Sequence, residues 1–437
     1  MYLNCHSYYS LRYGTTSIEK LVETASSYGI PYMALTDINC TTAMYDFLKA
    51  CKKHSIQPIA GMEFRQKDRL LYIGLAKDLE GFRELNELTT KHHLGEQPLP
   101  EQSPDVNHTY IIYPTENLPE ELREHEFIGE TAADLAVYQN PLLKRKDKLV
   151  CLHPVTYLNY ERFQLHKLLR CIDHNILLNK LESHQHAGTN ELLLPPDQIR
   201  AIYKDHPYII KNTDNIAANC SFDFDVKMSK NKRTFTDSRY DDKLLLESLA
   251  LDGFLDRYDP GDMVAKRRLY EELDIIDQLQ FACYFLTTWD IIRHSMSSGY
   301  YHVGRGSGAN SIVAYCLKIT EVDPIELNLY FARFLNTKRS SPPDFDIDWS
   351  WKDRDDIIHY IFDRFGREYT GFCGTVSDFK YRSVTRELGK VYGLPKHELD
   401  QLTRRSAGYH AKSEVVNQVR QFGELLEKEA FPNQYSM

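Results

Sequence analysis

Pro343-Asp344-Phe345-Asp346-Ile347-Asp348-Trp349 is the stretch on which the reading of this chain turns. Side chains along an extended strand alternate between two faces. Asp344, Asp346 and Asp348 therefore share one face, and Phe345, Ile347 and Trp349 take the other. The apolar face can pack on a core. On the acidic face like charges recur about every 7 Å, and cations relieve their repulsion. The pattern reads as a site for a hard divalent cation, Mg²⁺ first. Two such ions about 4 Å apart can clamp both oxygens of an in-line phosphoryl displacement. The plainer reading is an exposed edge strand whose acids face water. A second alternating run, Phe222-Asp223-Phe224-Asp225, has no phosphate-type loop nearby in sequence and reads as an ordinary surface turn or strand.

Upstream lies His302-Val303-Gly304-Arg305-Gly306-Ser307-Gly308-Ala309-Asn310-Ser311. The apolar Ile312-Val313-Ala314-Tyr315-Cys316-Leu317 follows, long enough for a helix. Closely spaced glycines let backbone approach a ligand, and amides there and at a helix start point at anions. Ser307 and Ser311 add hydroxyls, and Arg305 adds a charge. No Gly-Lys-Ser/Thr follows, so this is not a P-loop. Gly304, Gly306 and Ala309 fit G-x-G-x-x-A, a weak dinucleotide fingerprint. The acids that such a fold needs further on, Glu321 and Asp323, sit beside Pro324 in a turn-like stretch, and that reading leaves the acidic run unexplained. A tight turn between two helices is the plain alternative. Phe331 to Arg339 then brings cations just before the acids. Arginine suits bidentate phosphate contacts. Taken singly, Arg333 and Arg339 read as partners of nearby aspartates or as solvated charges. Taken with the loop and the acids, they fit a nucleoside triphosphate and its metals.

In this order and spacing, GRGSGANSIVAY, ITEVDP, FARFLN and PDFDID resemble the palm core of bacterial C-family DNA polymerases, the DNA polymerase III alpha type. EELDIIDQLQFACYFLTTWDII resembles that family's approach helix. YYSLRYGT, MALTDIN and QPIAGMEF resemble its N-terminal PHP domain. The resemblance covers nearly the whole chain. It implies an α/β and α+β multidomain protein. A PHP-type distorted β/α barrel would span 1–220, a polymerase-beta-like nucleotidyltransferase palm 221–375, and a helical partial thumb 376–437. It implies a DNA-directed DNA polymerase acting in replication or translesion synthesis on primer–template DNA and dNTPs. Asp344 and Asp346 would be the catalytic ligands of two Mg²⁺ ions, with Asp348 the runner-up. Gly306, Ser307, Arg333 and Arg339 would hold the nucleotide. The family's third catalytic aspartate comes from a strand well after the thumb, and Asp353, Asp355 and Asp356 do not replace it. The expectation is the N-terminal part of a longer polymerase, unable to extend a primer by itself. Clamp binding would lie beyond residue 437, and a proofreading exonuclease would dock on the PHP domain.

An active PHP domain gathers histidines and carboxylates around several metals. Where its first motif has His-x-His, this chain has Asn4-Cys5-His6. Asp37-Ile38-Asn39 stands for Asp-His-Gly, Leu71 for a later histidine, and Pro154-Val155-Thr156 for Asp-x-His. The residual candidates are His6, Asp37 and Glu63, with His153. Ile, Leu and Pro cannot ligate through side chains, and metals need several converging donors. A metal-poor, structural domain is expected, with a non-catalytic scaffold or a PHP phosphoesterase and 3′–5′ exonuclease as the rival functions.

Composition allows this. At 42% hydrophobic and 26% charged residues, the chain can build packed cores. Its 437 residues suggest two or three domains. The nine cysteines show no C-x-x-C pattern, which fits a reducing cytoplasm. No signal peptide and no long apolar span point to a membrane. The net charge of −9 does not advertise nucleic-acid binding, but duplex contacts depend on local cations. Arg382, Arg386 and Lys390, four apart, share one helical face that could follow a duplex backbone; the bland reading is a solvated face. Helical periodicity is expected over 18–28 and 43–54, and strands over 32–36, 70–76 and 110–113. Helices are also expected over 241–257, 262–281 and 354–365, with basic helix from 376 onward.

Overall fold

In this structure, a computed structural model, residues 1–403 are described apart from 96–97, 137–140, 225–230, 339–341 and 377–379. The described residues before 226 group with those after 375 in one unit, and those of 226–375 form a second.

Alternating helix and strand periods build the first unit. Six strands run β1 Tyr32–Leu35, β2 Gln57–Gln66, β3 Arg69–Ala76, β4 Thr109–Pro114, β5 Glu126–Glu130 and β6 Leu149–Cys151. They lie in sequence order in one sheet. β1 and β2 are parallel, β3 is antiparallel to both β2 and β4, and β4, β5 and β6 are parallel. The N-terminal segment joins the two ends of the sheet. Ala34 donates its N–H to the carbonyl of Tyr2, while His6 N–H and Val155 N–H exchange bonds with Val155 and Asn4 carbonyls. This is a distorted barrel, closed by the residues around His6. Its strands are buried on both faces and so read as nearly continuous apolar runs. Leu3, Ala34, Ile59, Ile73, Ile112 and Val150 form one buried cluster.

Around it lie α1 Ile18–Ser27, α2 Met44–His54, α3 Leu79–His93, α4 Ala132–Leu135, α5 Tyr160–His174, α6 Pro196–Ile202 and α7 Pro207–Ala218. The short run Phe222-Asp223-Phe224 is not a strand. Its two rings pack on Phe82 and Asp223 is exposed, while Asp225 lies outside the described residues.

The second unit is a helical support for a two-stranded antiparallel ribbon. It contains α8 Arg239–Arg257, α9 Met263–Gln278, α10 Ala282–Ser297, β7 His302–Arg305, α11 Ile312–Cys316, β8 Asp346–Trp349 and α12 Arg354–Phe365. Leu246, Leu269, Leu273, Phe285, Ile312 and Phe334 meet in its core. Gly253 lets α8 touch α11, since a Cβ there would stand 2.1 Å from the Cys316 carbonyl oxygen. α13 Tyr381–Val391 and α14 Lys396–Thr403 follow. α13 packs Val384, Leu388 and Val391 on Leu168, Cys171 and Ile172 of α5. The described part of the expected thumb therefore belongs with the first unit. No helix among the described residues is long and apolar enough to cross a membrane.

Candidate active site on the acidic ribbon

β7 and β8 pair antiparallel, with Arg305 opposite Asp346 and Val303 opposite Asp348. The expected alternation holds. Asp344, Asp346 and Asp348 are exposed, and Phe345, Ile347 and Trp349 are half-buried. The apolar side fixes the strand pair: Phe345 meets the rings of Phe285 and Phe334, and Trp349 Nε1 donates to Ser295 Oγ at 2.8 Å. One expectation needs correction. The strand begins only at Asp346, so Asp344 precedes it in irregular backbone.

The chain leaves β7 straight into the glycine loop, a 3-10 turn over Gly306–Asn310. Gly306 has φ +72°, and a Cβ on it would stand 2.6 Å from Asp346 Oδ2. Only glycine lets backbone lie this close to that carboxylate in this conformation. Asn310 Nδ2 donates to the Ser307 carbonyl at 2.9 Å and closes the turn. Ser311 caps α11, accepting the Ala314 N–H. The expected helix is shorter than its apolar run, because Leu317 ends it after Cys316. At five residues α11 offers little helix dipole to an anion, which leaves the loop's own amides as the polar groups at this turn.

Arg305 lies across the acids. Its Nε meets Asp348 Oδ2 at 2.8 Å and its Nη1 meets Asp346 Oδ2 at 3.5 Å. All three side chains are at least half exposed, so solvent screens these pairs and they hold weakly. A divalent cation can displace the guanidinium at little cost. Among the described residues no three or more His, Cys, Asp or Glu converge on a metal position. Mg²⁺ suits such a sparse set, since it commonly takes one or two carboxylates and completes its shell with waters and substrate phosphates. The residues present fit that ion. Arg333 is exposed at the end of a 3-10 turn, Phe331–Arg333, while Arg339 lies outside the described residues.

The barrel site has the opposite character. Glu63 is fully buried. Its Oε2 accepts from Asn4 Nδ2 at 2.9 Å and meets His6 Nε2 at 3.0 Å, and its Oε1 pairs with Arg65 Nη2 at 2.5 Å. Burial works against ionising Glu63, but Arg65 and His6 override it and bring its carboxyl down to about 2. Asn39, at φ +51°, locks Arg65 in place by bonding both its N–H and its carbonyl. His6 Nδ1 meets Thr156 Oγ1 at 3.1 Å, and Thr156 donates to Glu191. Asp37 accepts three bonds of 2.7 Å, from Ser7 N–H, Ser7 Oγ and Ser10 Oγ. Burial still raises its carboxyl above the ordinary range. His153 bonds the Leu192 carbonyl, and Leu71 is buried among apolar neighbours. His6 and Glu63 do meet, but their partners are protein groups, and Asp37 is engaged elsewhere. These residues do not fit a metal cluster. Arg65 escaped notice in the sequence, although two positions along a strand from Glu63 put it on the same face.

Arg382, Arg386 and Lys390 are all exposed on one face of α13. Arg386 reaches Asp400 at 3.4 Å and Lys390 pairs with Glu387 at 2.6 Å.

Residues 244–435 match the family described as the bacterial DNA polymerase III alpha NTPase domain, and residues 3–136 match the PHP domain. An error-prone DNA polymerase of Symbiobacterium thermophilum is 29% identical over 97% of this chain and 44% of its own length. DNA polymerase III subunits alpha of Bacillus subtilis and Streptococcus pyogenes are each 28% identical over 92% of this chain, and over 39% and 38% of their own lengths. Fold and site thus define a PHP barrel joined to a polymerase III alpha-type NTPase domain. Across most of its length the chain is similar to bacterial DNA polymerase III alpha subunits and error-prone DNA polymerases. It spans about two fifths of the length of these curated relatives.

Proposed function

We propose that this chain carries the metal- and triphosphate-binding part of a DNA-directed DNA polymerase. The observation that carries this is the contact between the glycine loop and the acidic strand, with Gly306 turned against Asp346. Asp344 and Asp346 would hold two Mg²⁺ ions, which when bound activate the primer 3′-hydroxyl and neutralise the departing pyrophosphate. The amides of Gly306 and Ser307 and the Ser307 hydroxyl donate to phosphate oxygens. Arg333 and Arg339 balance the remaining charge. Arg305, which now lies against Asp346, would be able to pair with phosphate where a metal held that carboxylate. Arg382, Arg386 and Lys390 would follow the primer–template backbone. Replication or translesion synthesis in the cytoplasm is the setting this chemistry suits. The buried Glu63–Arg65 pair favours a PHP domain that serves as a scaffold, with a proofreading exonuclease as a candidate partner, over one that hydrolyses phosphoesters.

Binding tests the site on the 437-residue chain itself. Titration with a fluorescent dATP analogue and Mg²⁺ should show saturable binding that Asp346→Asn weakens about tenfold, as loss of one charged ligand contact predicts. Binding that is independent of Mg²⁺ and unchanged in Asp346→Asn would sink the reading.

A further inference from the structure

Arg268 and Glu272 lie one turn apart on α9, outside the acidic strand pair. Glu272 is fully buried, and burial pushes its carboxyl up to about 7 against Arg268 and Ser311, which favour the charged form. Its Oε1 accepts from Arg268 Nε at 2.6 Å. Its Oε2 accepts from Ser311 Oγ at 2.8 Å and faces the Val313 N–H at 3.4 Å. The other end of the guanidinium donates from Nη2 to two carbonyl oxygens, Asn310 at 3.1 Å and Leu329 at 3.2 Å. Asn310 closes the glycine loop. Leu329 stands just before the turn that ends at Arg333. One planar fork therefore ties together the two segments that bear Ser307 and Arg333, a span that a lysine cannot bridge. The apolar packing of Leu269, Leu273 and Ile276 with Ile312, Val313 and Ala314 is separate from this pair. It holds the helices together, and Phe331, Phe334 and Leu335 of the Arg333 turn join the same core, so the polar clamp adds direction to segments already packed near one another.

We infer that Arg268, anchored by Glu272, is a positioning residue that sets the glycine loop and the Arg333 turn at one fixed spacing, so that both grip the same triphosphate. This rests on the triphosphate site proposed above. Neither residue needs to touch the ligand, because both act through backbone they hold.

Arg268→Lys keeps a cation beside Glu272 while giving up the fork. In the full 437-residue chain it should melt within a few degrees of the parent. Its affinity for the dATP analogue with Mg²⁺ should fall about tenfold, as loss of charge-assisted bonds predicts. Amide exchange should quicken in peptides covering 304–314 and 329–334, but not in α9. Parent affinity and parent exchange in Arg268→Lys would overturn the inference while leaving the nucleotide site standing. Absence of analogue binding by the parent chain would instead remove the site and the inference with it. If Arg268→Lys does not fold, Glu272→Gln decides, since it keeps the shape of the side chain and leaves the Ser311 cap in place while weakening the Arg268 anchor. Weaker analogue binding and faster exchange in 304–314 and 329–334 support the clamp, and unchanged behaviour refutes it.

Discussion

Glu63 and Arg65 form a buried ion pair in which removing one partner strands the other. Breaking such a pair costs about 3–5 kcal/mol, because the survivor keeps its desolvation penalty. Arg65→Met should therefore lower stability in urea by that amount, and Glu63→Gln added to it should restore most of the loss. A cost below about 1 kcal/mol would mean that the pair is not the anchor described. The same carboxylate predicts an acid response. Its folded pKa of about 2 lies below the unfolded 4.5. Its contribution is thus complete above pH 4.5 and is lost as pH falls toward 2, an effect of about 3 kcal/mol. Urea midpoints taken from pH 6 to pH 3 should fall, and Glu63→Gln should flatten that part of the fall. Missing metal ligands at positions 4, 38, 71 and 154 were legible from residue type alone. That a guanidinium fills the gap was legible only in part, because strand parity gives Arg65 a face but not a partner.

The acidic strand pair and its glycine loop show what pattern can and cannot fix at the level of elements. Alternation in 343–349 gave the faces correctly, since period two is a property of any extended chain. It did not give the strand's start, because Asp344 lies past the last residue that β7 can pair. The tie from α9 was invisible, since the i,i+4 spacing of Arg268 and Glu272 looks like an ordinary surface pair until tertiary packing buries it. Gly306 carries a prediction of its own. Gly306→Ala puts a side chain at φ +72° and 2.6 Å from Asp346 Oδ2. The left-handed conformation costs about 1–2 kcal/mol, and the carboxylate must move. Thermal melting should drop modestly while Mg²⁺-dependent nucleotide affinity drops by at least about tenfold. A variant with parent affinity would show that this contact does not shape the site.

For the molecule as a whole, the net charge of −9 conceals a local basic face on α13. If that face follows a duplex, each phosphate contact adds about 0.9 to the slope of log affinity against log salt. Arg382→Ala with Arg386→Ala should then reduce the slope by about 1.8. An unchanged slope would leave α13 as a solvated helix whose Arg386 merely pairs with Asp400. The barrel was legible from its repeated strand and helix periods, whereas its closure was not. Nothing local in residues 2–6 says that they pair with residue 155.

That closure has a consequence for how the protein is made. During synthesis the leading segment can bond to β1 almost at once, yet its other edge stays open until Val155 clears the ribosome. At roughly 5–20 residues per second the wait is on the order of ten seconds. For that interval the nascent chain shows an unpaired edge of the kind that recruits other strands.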